Sequence, residues 1–142
     1  MSVLDDLAAR LVAQGVGALG TNIFISSAAV IPIGMGPYLS LNETGGVAPT
    51  RVQNVNTPNT QRPTVQVLCR AGRIAGVQEA YPAARTMAKA AYDALDGIFN
   101  TTLSGTFYLH VTAKQEPTDM GFDATGSRVQ VVFNLDVEKS LS

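Results

Sequence analysis

A chain of 142 residues suits one domain, and at that length about 68–70% of the unfolded surface is buried without disulfide or metal staples. Ten Lys and Arg against eleven Asp and Glu leave a net charge of −1, and only 15% of residues are charged against 46% apolar. That balance argues against a protein that coats nucleic acid or binds an anionic membrane, while one Cys and one His leave little for disulfide, metal or acid–base chemistry.

The first element expected is a helix over 2–14. Ser2 with Asp5 resembles a capping box, both acids suit a helix N-terminus, and Val3, Leu4, Leu7 and Leu11 form one apolar stripe. Gly15 then supplies the helix stop. Asp5 and Asp6 stand where a signal peptide needs positive charge. The most apolar stretch, 28–38, is broken by Pro32, Gly34, Gly36 and Pro37, so no bilayer-spanning helix of about 20 apolar residues is expected.

Residues 21–26 read as a short strand around Ile23, Phe24 and Ile25, and 38–43 as a second, with Leu39 and Leu41 alternating against Ser40 and Asn42. From 44 to 62 the pattern vanishes into Gly, Pro, Asn, Thr and Gln, and a long loop is expected there, with Arg51 and Arg62 its only cations. A strand over 64–70 places Val65, Val67 and Cys69 on one face and Gln66, Leu68 and Arg70 on the other. A second helix begins between Val77 and Pro82 and ends near Ile98, striped by Ala84, Met87, Ala91, Leu95 and Ile98. Two long strands close the chain. Residues 107–115 place Phe107, Leu109, Val111 and Ala113 opposite Tyr108, His110, Thr112 and Lys114. Residues 128–138 carry the five-residue row Val129, Val131, Phe133, Leu135 and Val137, and an acidic loop over 117–126 joins the two. The fold expected is a single α+β domain over 1–142, with one mixed, largely antiparallel sheet and two helices packed on one face.

The chemistry expected is sparse. Gly15, Gly17 and Gly20 match the dinucleotide-binding spacing, but they follow a helix and precede a strand, the reverse of what pyrophosphate binding needs. Cys69 and His110 fall on opposite sheet faces, so no thiol–imidazole pair is expected. Glu116, Asp119 and Asp123 lack a calcium-loop pattern, and Asp93 with Asp96 reads as a solvated helix face. The arginines at 51, 62, 70, 73 and 85 form no dense run with interleaved aromatics, so direct nucleic-acid recognition is not expected. No catalytic, cofactor or metal residue is therefore named. Exposed apolar groups and the charge-poor 44–62 stretch instead point to contact with other chains, at Ile33, Met35, Tyr38, Val47, Arg51, Val55 and Arg62.

A family resemblance runs along most of the chain. It begins at Leu11-Val12-Ala13-Gln14-Gly15-Val16-Gly17 and Leu19-Gly20-Thr21-Asn22-Ile23-Phe24, and resumes at Glu43-Thr44-Gly45-Gly46 and Pro63-Thr64-Val65-Gln66-Val67. It continues through Ala91-Tyr92-Asp93-Ala94-Leu95-Asp96-Gly97, Leu103-Ser104-Gly105-Thr106-Phe107-Tyr108-Leu109 and Val129-Gln130-Val131-Val132-Phe133-Asn134-Leu135. In this order the pieces resemble the small tail terminator proteins, also called minor capsid proteins, of long-tailed bacteriophages. The resemblance implies a structural virion protein that forms a ring of copies of itself, commonly a hexamer, at the head–tail junction. Its implied partners are the tail tube protein and the head–tail connector or stopper, and no enzyme activity is implied. The chain departs from the family pattern at the apolar 26–37 segment and the long 47–62 stretch, where partners are expected. Another neck or tail ring protein, or a small ligand-binding or enzymatic α+β domain, are the alternatives.

Overall fold

The computed structural model describes residues 3–25, 35–51, 58–76, 78–122 and 128–140. Helix α1 (Val3–Ala13) leads into β1 (Ile23–Ile25), β2 (Tyr38–Arg51) and β3 (Pro58–Gly72); helix α2 (Ala80–Leu95) follows, then β4 (Ile98–Leu103), β5 (Thr106–Ala113), β6 (Thr118–Phe122) and β7 (Arg128–Ser140). The strands form one sheet in the order β1-β2-β3-β7-β5-β4, with β6 also paired to β7. Only the β1–β2 pair is parallel among the paired strands. This is the expected mixed α+β architecture, with both helices packed against the sheet.

The core follows the alternation of the strands. Leu39 and Leu41 from β2, Val65, Val67 and Cys69 from β3, and Val129, Val131, Phe133, Leu135 and Val137 from β7 are buried on one face. Leu4, Leu7 and Leu11 of α1 and Ala84, Met87, Ala88, Ala91 and Leu95 of α2 close over them. The alanines of α2 let the helix lie close to the sheet, and Tyr92 meets Phe133 edge to face at 5.7 Å. Pro82 sits in the first turn of α2, where its missing N–H is not needed.

One polar contact crosses this apolar layer. Asp6 of α1 is fully buried, and the Tyr108 hydroxyl donates to its Oδ2 at 2.6 Å. The other carboxylate oxygen, Oδ1, is buried without a hydrogen-bond partner among the described residues. Arg10, at the other end of α1, donates from Nε to the Ala94 carbonyl in the last turn of α2, a cation placed at a helix C-terminus.

Several expectations are corrected. The second helix stops at Leu95 and not near Ile98, because Asp96 leaves helical geometry: its N–H bonds back to the Tyr92 carbonyl while its Oδ1 accepts the Ala113 N–H at 2.7 Å. Ile98 thus opens a strand, β4, that the helical spacing concealed. Ser104 and Gly105, both at positive φ, turn β4 into β5, as a two-residue primed hairpin turn requires.

Tyr108 faces the core and Phe107 the solvent, opposite to the simple alternation. The register of β5 on β7 shifts between Tyr108 and His110, where one extra β5 residue reverses the parity. The acidic link over 117–126 contains β6, paired to β7 through Thr118 and Asp119.

The 44–62 stretch is not a loop in its described parts. Both flanks are strand, with Gly46 paired to Pro63, Val47 to Arg62, Thr50 to Thr60 and Arg51 to Pro58. Register shifts interrupt this ladder after Glu43 and again after Val47, and Pro63 sits at the first of them, where its missing N–H is tolerated.

The buried pair makes a testable statement. Burial and the Asp6 contact raise the Tyr108 phenol above the ordinary tyrosine range. A phenol raised in the folded state contributes stability that is complete below its unfolded value, about pH 10, and that fades as pH rises toward the folded value. Tyr108→Phe leaves the buried carboxylate without its donor and is expected to cost about 2–3 kcal/mol in urea titration at pH 7. Adding Asp6→Asn to that variant should recover part of the loss, and Tyr108→Phe should flatten the stability decline above pH 10.

Candidate assembly surfaces

The hairpin of β2 and β3 is the most extended feature of the subunit. β1 covers β2 only at Leu39, Ser40 and Leu41, while β2 runs on to Arg51. From Tyr38 to Arg51 the strand spans roughly 40 Å at about 3.3 Å per residue. Its partner leg is anchored: β3 pairs with β7 from Gly72↔Arg128 out to Thr60↔Ser140. The result is an arm whose inner leg belongs to the sheet and whose outer leg hangs on the inner one.

Five of the seven expected interface residues are described, on this arm or just before it. Ile33 and Val55 lie outside the described residues. Met35 and Tyr38 stand at the inner end. The Met35 carbonyl accepts from Gly72 N at 2.8 Å and from Gln78 Nε2 at 3.0 Å, and Tyr38 packs edge to face on Phe24 at 6.0 Å. Both are half-buried, with these contacts made inside the subunit. Val47 and Arg51 are on the outer leg, paired with Arg62 and Pro58. Tyr38 is thus separated along β2 from Val47 and Arg51.

Arg62 belongs to a charged cluster on the open face of the sheet. Its guanidinium lies 3.8 Å from Glu138, whose other carboxylate oxygen is 3.4 Å from His110 Nε2, with Asp136 lining the same cleft of about 200 Å³. Glu138 therefore ties β3 to β5 across β7. These pairs are partly exposed, so each contributes at most about 1 kcal/mol.

The other candidate chemistry separates as its spacing implied. Cys69 is buried among core residues, where desolvation pushes its thiol well above the ordinary range, while His110 lies on the opposite face beside Glu138. Gly15 follows α1 at φ 76 and Gly20 precedes β1 at φ 84, so the glycine run is a helix stop and a turn. Asp93 pairs with Lys89 at 2.8 Å, whereas Asp96 holds the Ala113 backbone. Among the described residues no group of three His, Cys, Asp or Glu side chains could hold a metal ion, and no helix is long and apolar enough to cross a membrane.

Exposed apolar groups that the sequence reading did not single out lie elsewhere. Phe99 on β4 is 61% exposed, and Met120 and Phe122 on β6 are 60% and 66% exposed. Running the helix to Ile98 hid the first, and treating 117–126 as a solvated loop hid the others. The Ser104-Gly105 turn between two β-prone runs was the signal for β4.

The arm yields a prediction. Deleting residues 47–60 removes the outer leg and its partner segment but leaves in place every core residue whose burial is described. The shortened subunit is expected to unfold cooperatively in a thermal scan while failing to assemble with its partners. Loss of the cooperative transition would show that the arm supports the core.

Comparison with known proteins agrees with this architecture. No curated protein matches the chain. Among solved structures, a chain from the virion of a native gene transfer agent particle superposes with a TM-score of 0.57 at 15% identity, covering 95% of this chain and 84% of that one. Residues 10–136 match the family described as bacteriophage tail terminator protein, a span that takes in the last turn of α1, all of α2, the whole arm and most of β7. The chain therefore belongs to the bacteriophage tail terminator family and is a virion protein of the phage tail.

Proposed function

We propose that this protein forms a ring of identical subunits, six in number, at the head-proximal end of the tail tube. There it ends tube polymerisation and presents its other surface to the head–tail connector. The observation that carries the reading is the family match over 10–136, which runs through the arm as well as the core. A ring built from one chain needs complementary surfaces on two different sides of the subunit, since a heterologous contact closes by rotation. This subunit has an arm at one side of its sheet and an exposed edge hairpin at the other. A net charge of −1 and a low charged fraction suit repeated self-contact, because few charges lose their water when copies meet.

Disrupting the gene in its phage and imaging the tails by electron microscopy tests the reading. Overlong tubes, or tubes without heads, are expected. Tails of normal length joined to heads would overturn it.

A further inference from the structure

The carboxylate of Asp6 is only half satisfied. Tyr108 donates to Oδ2, while Oδ1 is buried with no hydrogen-bond partner among the described residues. A buried acceptor without a donor is rare, and for a carboxylate it is costly, so this atom points to a donor that arrives from outside the fold. Asp6 lines a cleft of about 280 Å³ between α1 and the β4–β5 hairpin. Ala9, Ala13 and Leu103 wall the cleft, and the exposed Thr102 and Ser104 bring hydroxyls to its rim. Its volume far exceeds the roughly 30 Å³ share of a single water.

The nearest cations of the subunit leave Oδ1 unmet. Arg10 borders the cleft but turns its Nε to the Ala94 carbonyl. Lys139, opposite Tyr108 on β7, is buried and makes no ion pair with Asp6 among the described residues. The surroundings favour an ammonium over a guanidinium. Oδ2 is taken by the Tyr108 hydroxyl, so the two-point grip of an arginine meets one free oxygen, whereas an ammonium donates singly to Oδ1 and to the rim hydroxyls. The apolar walls suit the methylene stem of a lysine.

Of the chain's three lysines, Lys89 pairs with Asp93 and Lys139 is buried, while Lys114 is exposed and takes part in no ion pair among the described residues. Lys114 directly follows β5, at the end of that strand away from the cleft. It lies about 26 Å from Thr106 at roughly 3.3 Å per residue, too far to fill the cleft of its own chain. We propose that Lys114 of one copy of this chain enters the cleft of the next and donates from Nζ to Asp6 Oδ1. Lysine and cleft stand at opposite ends of β5, so the contact is head to tail and closes by rotation into a ring, the reading of function on which this inference rests. The carboxylate has already lost its water within the single subunit, so only the lysine is dehydrated when copies meet.

Cross-linking in assembled tails tests the contact. Thr102 and Gln115 are exposed, and Thr102→Cys with Gln115→Cys places one thiol at the cleft rim and one beside Lys114. Cys69 is buried and protonated, so it stays silent toward a short bis-maleimide. The double variant is expected to give a ladder of chain multiples, and each single variant to give none. Lys114→Met keeps an apolar stem and removes the ammonium at an exposed position. It should leave the thermal midpoint of the subunit unchanged while cutting incorporation into tails by roughly tenfold or more, because the neighbour's carboxylate keeps no second donor. Lys114→Arg should fall with it. Tails that contain the double variant without a ladder, or normal incorporation of either Lys114 variant, would overturn this contact and leave the terminator reading standing. Absence of the unaltered protein from tails would overturn that reading, and this contact with it.

Discussion

Everything in the subunit is registered on β7. One edge of this strand takes β3 from Gly72↔Arg128 to Thr60↔Ser140, and the other takes β6 near its start and β5 near its end. It is the only strand that joins the β1-β2-β3 half of the sheet to the β5-β4 half among the described residues. Its inward row of Val129, Val131, Phe133, Leu135 and Val137 lies beneath the helical layer, so the same residues that set the pairing also seat α2. A slip of one residue would turn that entire row to solvent, which is why the register is sharply specified. Glu138, on the other face, ties neighbouring strands on both sides through Arg62 and His110.

The core was legible from the chain because burial on one face writes a period of two. Residues Val65, Val67 and Cys69, and the β7 row, declare themselves without further context, as does the helical stripe of α1. Failures cluster where a different constraint overrides the period. At Tyr108 an extra residue in β5 reverses the alternation, and the phenol turns inward to reach Asp6. At Ile98 a helical spacing continued by coincidence past Asp96, whose side chain is committed to Ala113. Along 44–51 the sequence runs through Thr, Gly, Val, Ala and Pro without alternation, so the strand pairing there leaves no apolar signature.

The distribution of polar groups separates the parts of the molecule by role. Inside, a single carboxylate is matched to a single phenol, and the lone thiol is sealed among Val and Leu. On the open face, Glu138 sits between Arg62 and His110. At both sheet edges charge is absent over consecutive residues. For a chain of the tail terminator family this is the pattern expected where the work is fitting against other chains.

The placement of β5 and β6 end to end along one edge of β7 bears on how the subunit carries mechanical load. A pull along the arm is transmitted through β3 and would have to slide it against β7, straining many ladder bonds together. A pull on β6 meets only its few registered residues, which release one after another while β5 keeps its own pairing. The subunit thus couples a stiff member to a compliant one through the same strand, and tension reaching it from its two sides would be answered very differently.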